Sequence, residues 1–110
     1  MSQQGRVTMH LAVFAWNSPP TDEEQAQFVA AAEVLPQQIE VLRQLWTGPA
    51  RSATGGELAL VAVLDEGGLQ EYLQHPAHRL FQEQYSGDRL RLLANAQFES
   101  TAAAVTHPKR

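Results

Sequence analysis

Two stretches, residues 7–16 (Val-Thr-Met-His-Leu-Ala-Val-Phe-Ala-Trp) and 58–64 (Leu-Ala-Leu-Val-Ala-Val-Leu), are apolar at nearly every position. A strand with one face in water alternates apolar and polar residues, whereas a strand covered on both faces is apolar throughout. Whatever fold the chain adopts must therefore cover both sides of both runs. Along the first, the pleat sets His10, Ala12, Phe14 and Trp16 on one face and Met9, Leu11, Val13 and Ala15 on the other.

The remaining elements follow in order. Asn17-Ser18-Pro19-Pro20 is a break. Thr21 with Glu24 forms a capping-box pattern, Asp22 and Glu23 complement the helix dipole, and Phe28, Ala31, Ala32 and Leu35 make one apolar stripe that Pro36 ends. Residues 41–47 read as a second, more exposed strand near a sheet edge, and residues 48–56 as a Gly-rich loop expected to be mobile. Gly67-Gly68 leads into a helix carrying Leu69, Tyr72 and Leu73, with the glycines weakening its start. Pro76 lacks an N–H, so this helix should end near Gln74 while a second opens at Pro76 and carries Leu80, Phe81 and Tyr85. Gly87-Asp88 turns the chain into a last strand at residues 90–98. Strict alternation puts Leu90, Leu92, Ala94, Ala96 and Phe98 on one face and Arg91, Leu93, Asn95 and Gln97 on the other. Residues 1–6 are a polar tail and residues 100–110, with His107, a frayed one.

The order βαββαβ indicates an α+β fold of the ferredoxin-like kind, one domain over residues 7–99 with a four-stranded antiparallel sheet. Its helices can cover one face of that sheet only. A second copy of the same sheet is the simplest cover for the other, so the pattern implies a homodimer. A net charge of −4 and no basic run interleaved with aromatics argue against nucleic acid or an anionic membrane as partner. The absence of cysteine excludes disulfide and thiolate chemistry. With no signal-like or anchoring run in view, the cytoplasm is the expected compartment.

Titratable and aromatic groups crowd in one place, Tyr72-Leu73-Gln74-His75-Pro76-Ala77-His78. The Pro76 kink should bring Tyr72 and His78 together. At a helix N-terminus the dipole disfavours imidazolium, leaving His78 a neutral base, while Tyr72 can donate a hydrogen bond to it or to a substrate oxygen. A base and a phenol over an apolar cavity suit proton abstraction beside a carbonyl. The alternative is that the motif only locks the kink. His75 is expected to cap the Pro76 helix. His75 and His78 have neither a Cys nor a carboxylate at ligand spacing, so no metal is assigned. His10, mid-strand among apolar residues, reads as a buried histidine satisfied by a neighbour. Trp16, Trp46, Phe14, Phe28, Phe81 and Tyr85 read as core.

The run Tyr-Leu-x-His-Pro-x-His, following the strand at residues 58–65, resembles the stress-responsive dimeric α/β-barrel domain family over residues 7–99. Plant members of that family include polyketide cyclases of the olivetolic acid cyclase type. The resemblance implies a dimeric α/β barrel, no cofactor, and a small hydrophobic carbonyl compound as ligand. It also implies His78 as base, Tyr72 as hydrogen-bond donor and His10 as an orienting pocket histidine. Phe14, Phe28, Leu73 and Phe81 are the expected apolar walls. Gln97 departs from the family, which often carries Asp there. Two other functions fit the same resemblance: a non-enzymatic stress-response or ligand-binding dimer, and a cofactor-independent monooxygenase using Trp16, Trp46 and Asn95.

Overall fold

The two apolar runs lie side by side inside one sheet. β1 (Val7–Trp16) pairs antiparallel with β3 (Glu57–Asp65), His10 opposite Ala62, and on its other side with β4 (Leu90–Ser100). β2 (Leu42–Pro49) forms the far edge against β3, giving the order β2-β3-β1-β4 with every neighbour antiparallel. This is the ferredoxin-like arrangement expected from the element order. The structure, a computed structural model, describes residues 6–50, 56–85 and 88–101. The expectations placed on residues 1–5, on the loop at 51–55, on Gly87 and on the tail beyond 101 lie outside the described residues.

Among the described residues, four helices stand on one face. α1 (Asp22–Glu33) starts at the Thr21 capping box, in which Thr21 Oγ1 accepts from the Glu24 N–H and Glu24 Oε1 accepts from the Thr21 N–H, both at 3.0 Å. It ends before Pro36, and α2 (Leu35–Gln38) follows at once with that proline in its first turn. A proline that cannot extend one helix is well suited to begin the next. Leu35, Ile39 and Tyr72 bury against Leu60, Ala62 and Leu64 of β3, while Phe28 packs with Leu58 and Leu90.

The turn from β3 to the next helix needs both its glycines. Gly67 sits at φ +75°, and a Cβ on Gly68 would stand 3.0 Å from the Asp65 carbonyl and 3.1 Å from Val41 Cβ. The side chain of Thr8, buried at the end of β1, holds this turn. Its Oγ1 accepts from the Gly67 N–H at 3.0 Å and donates to the Glu99 carboxylate at 2.9 Å. The turn's geometry thus offsets the poor helix propensity that the pair carries.

α3 (Leu69–Gln74) and α4 (Pro76–Tyr85) are divided at Pro76 as expected. His75 is extended, and its Nδ1 accepts from the Ala77 N–H at 3.0 Å, so it caps α4.

One strand departs from simple alternation. β1 and β4 change register between Val13 and Phe14, so Val13 faces Ala94 while Phe14 faces Leu92, and Leu93 is an extra residue. The bulge corrects the face assignment for β4. Leu90 and Leu92 share the helix side with Trp16 and Phe14, but beyond the bulge Asn95 and Gln97 take that side, opposite Ala12 and His10. Ala94, Ala96 and Phe98 fall on the other face with Val13, Leu11 and Met9. Trp46, expected in the core, stands opposite Val61 on this second face and is 62% exposed.

Candidate active site

Between the sheet and the α3–α4 kink lies a cavity of about 310 Å³. Phe14 and the phenyl rings of Phe28 and Phe81 wall it together with Leu73, and Tyr85, Leu90 and Leu92 add further apolar surface. The polar side chains at its lining are His10, Tyr72, His78, Gln82, Asn95 and Gln97. All seven residues singled out from sequence meet here. Asn95 and Gln97 were missed as lining residues because alternation alone hid the bulge. The adjacent pair Leu92-Leu93, which cannot both face a core across one strand, was the available signal.

Tyr72 comes from the last turns of α3 and is 1% exposed. Its ring centroid lies 4.5 Å from that of His78, tilted at 52°, and 6.0 Å from that of His10. Among the described residues its hydroxyl has no hydrogen-bond partner. A buried polar group left unpaired costs about 1–3 kcal/mol. That exceeds the roughly 0–1 kcal/mol an exposed ion pair such as Arg43–Asp65 returns. Burial pushes the phenol up to about 12, so Tyr72 is a donor at neutral pH and not a base. Of the two acceptors open to the Tyr72 hydroxyl, the His78 imidazole is not bonded to it: the two rings meet tilted at 52°.

His78 lies in the first turn of α4, and its Nδ1 is 3.2 Å from the Leu73 carbonyl oxygen. A carbonyl only accepts, so Nδ1 carries the hydrogen and the lone pair is at Nε2. Its pKa is lowered chiefly by burial. The Leu73 carbonyl works against that, and charge on His75 adds to it. Burial thus acts in the same direction as the helix dipole invoked from sequence and keeps this imidazole neutral. The pKa of His10 is also lowered, by burial first and then by repulsion from a protonated His78. Its Nδ1 is 3.0 Å from the amide nitrogen of Gln97.

These shifts have a sign that can be checked. Both imidazoles titrate below their ordinary 6.5 when folded, so near that pH the unfolded chain binds more protons than the folded one. Their contribution to stability is complete above pH 6.5 and is lost as pH falls from there through the two folded values. In melting curves recorded from pH 8 to 5, the midpoint should hold and then drop below 6.5, and His78→Asn should flatten that drop. A wild-type midpoint that rises on acidification would contradict buried, neutral imidazoles.

His75, occupied as a cap, stands outside the cavity lining. Trp16 packs edge-on against Phe28 at 6.2 Å, behind the cavity wall, and Trp46 is on the opposite face of the sheet. Among the described residues, no three His, Cys, Asp or Glu side chains gather as a metal site would require. No helix among them is long and apolar enough to cross a membrane.

The sequence over residues 9–94 matches the family model of the stress responsive A/B barrel domain. The chain belongs to that family. Among solved structures, this A/B-barrel chain is similar to a dimeric ferredoxin-like protein of unknown function from Thermobifida fusca. The two are 28% identical, the likeness covers 91% of this chain and 94% of that one, and the TM-score is 0.67. A dimeric protein of unknown function from Bacteroides fragilis is 21% identical over 86% and 94% of the two chains, with a TM-score of 0.64. The hydroxynitrile lyase of Passiflora edulis is 14% identical over 93% and 97%, with a TM-score of 0.66. At these identities the latter two likenesses speak to the fold. No curated protein matches the sequence.

Proposed function

We propose that this A/B-barrel protein is a cofactor-independent lyase or cyclase that transfers a proton from carbon beside a carbonyl in an apolar, polyketide-like compound. The observation that carries the reading is the Tyr72 hydroxyl, buried without a partner at a cavity whose adjoining histidine has a free Nε2 lone pair. His78 Nε2 takes the proton. The C–H electron pair moves into the new C=C of an enolate, and Tyr72 O–H bonds the oxygen as its charge grows. Apolar walls with a few converging polar groups are the usual form of a small-molecule site. That a protein of the same fold from Passiflora edulis is a hydroxynitrile lyase agrees with acid–base chemistry in such a cavity. The working form in this reading is a homodimer, with the uncovered sheet faces packed on each other.

Solvent exchange tests the reading directly. Purified protein in D2O, given a panel of enolisable aryl and alkyl ketones and β-dicarbonyl compounds, should place deuterium at the α-carbon faster than buffer does, as read by mass spectrometry. A second reading, a ligand-binding dimer without chemistry, draws on the way His75 and His78 are both bonded to the backbone at the kink. It predicts saturable binding of the same compounds with exchange no faster than buffer.

A further inference from the structure

We propose that Gln97, held by Asn95, sets the tautomer of His10, so that the cavity's two histidines have opposite polarity: His78 offers a bare Nε2 and His10 an Nε2–H. The amide nitrogen of Gln97 stands 3.0 Å from His10 Nδ1 and 3.0 Å from Asn95 Oδ1. An amide NH2 has two hydrogens and accepts nothing, so these two bonds use it fully. Nδ1 of His10 is then the acceptor, and the single hydrogen of the neutral ring sits on Nε2. For the opposite tautomer, Gln97 would have to turn its oxygen to His10 and Asn95 its amide nitrogen to Gln97. All three groups must reverse together, so the network has two all-or-none states.

The β4 bulge is what makes this network possible. It carries Asn95 and Gln97 onto the helix side, two residues apart on one face, with Gln97 directly opposite His10. Across Tyr72, the Nδ1 of His78 meets a carbonyl, which forces the reverse assignment there. Neither Nε2 has a partner among the described residues. Both rings are held neutral at pH 7, since burial lowers each below 6.5.

The consequence for the substrate rests on the proton-transfer reading above; the tautomer itself does not. A base on one side and two donors, His10 Nε2–H and Tyr72 O–H, on the other fit one class of molecule. Its carbonyl oxygen accepts from the donors while its α C–H faces His78. When that proton passes to His78 Nε2 and the C–H pair enters the enolate, the oxygen's charge meets both donors. Gln97 is thus a positioning residue that acts through His10.

The test is nitrogen-detected NMR of the ring nitrogens in uniformly 15N-labelled full-length protein at pH 7.5, without substrate. His10 should have its hydrogen on Nε2 and His78 on Nδ1. Gln97→Glu places a carboxylate, which only accepts, beside His10 and should move the His10 hydrogen to Nδ1 while leaving the His78 pattern as an internal control of the fold. It should also slow α-carbon exchange about ten- to a hundredfold, with KM little changed, as one donor to the forming oxyanion is lost. A wild-type His10 with its hydrogen on Nδ1, or a Gln97→Glu protein whose His10 pattern is unchanged, overturns the proposal. If the tautomer shifts as stated but no carbonyl compound exchanges, the Gln97 assignment stands and the proton-transfer reading alone fails.

Discussion

Replacing His78 with alanine is expected to lower turnover of an exchangeable carbonyl substrate by about 10²–10⁴-fold, the usual contribution of a general base. Two other substitutions calibrate that loss. Tyr72→Phe keeps the ring that packs between the two histidines and removes one donor to a charged oxygen, worth roughly 1.5–3 kcal/mol or about ten- to a hundredfold. His75→Ala removes a cap and should cost stability, about 0.5–2 kcal/mol, with the smallest effect on rate. The stability order therefore differs from the activity order. Tyr72→Phe deletes a buried hydroxyl that has no described partner, so it should be neutral or stabilising while it slows the reaction. His78→Ala also frees the Leu73 carbonyl, which costs a further kcal/mol or so but no more than a few degrees of melting temperature. Full activity in His78→Ala, or a lowered melting temperature as its only effect, would make the His-Pro-x-His motif a lock for the kink.

The parts of this site that sequence made legible are those governed by one local rule each. Pro76 fixes where α3 stops and α4 starts, and across that break the ring centroids of Tyr72 and His78 lie 4.5 Å apart. Period-two alternation in β1 puts His10 and Phe14 on the cavity side. What was hidden depends on pairing between distant strands. Whether Leu93 is accommodated as a bulge is decided by β1, some eighty residues earlier in the chain, and only that register turns Asn95 and Gln97 inward. Trp46 failed for a related reason. A large aromatic is apolar enough for any core, and nothing local says which face of an edge strand it will occupy. The helix dipole gave the correct direction for His78, and burial, a tertiary quantity, acts in that same direction.

The second face of the sheet carries the other large expectation, that a single aspartate at Val61 separates the protein into monomers. Val61 lies on β3, opposite Leu11 on one side and Trp46 on the other, so it is central to a surface that also includes Met9, Val13, Val63 and Ala96. Trp46 and Phe98, 62% and 49% exposed, extend that surface toward both edges. Apolar side chains in this number on one flat face are costly in water, and a specific interface of more than about 1,000 Å² would cover them. An aspartate at the centre of such an interface is an unpaired charge without water. Its cost of about 3 kcal/mol or more corresponds to at least a hundredfold weaker association. The same side chain in an isolated protomer is merely solvated, so helix content and the melting profile of the dilute protein should survive. Sedimentation velocity at micromolar concentration should give a dimer for the wild type and a monomer for Val61→Asp. A concentration series of the wild type keeps the expectation exposed even if the variant misfolds, because a wild-type chain that stays monomeric at tens of micromolar leaves the apolar face without its second copy.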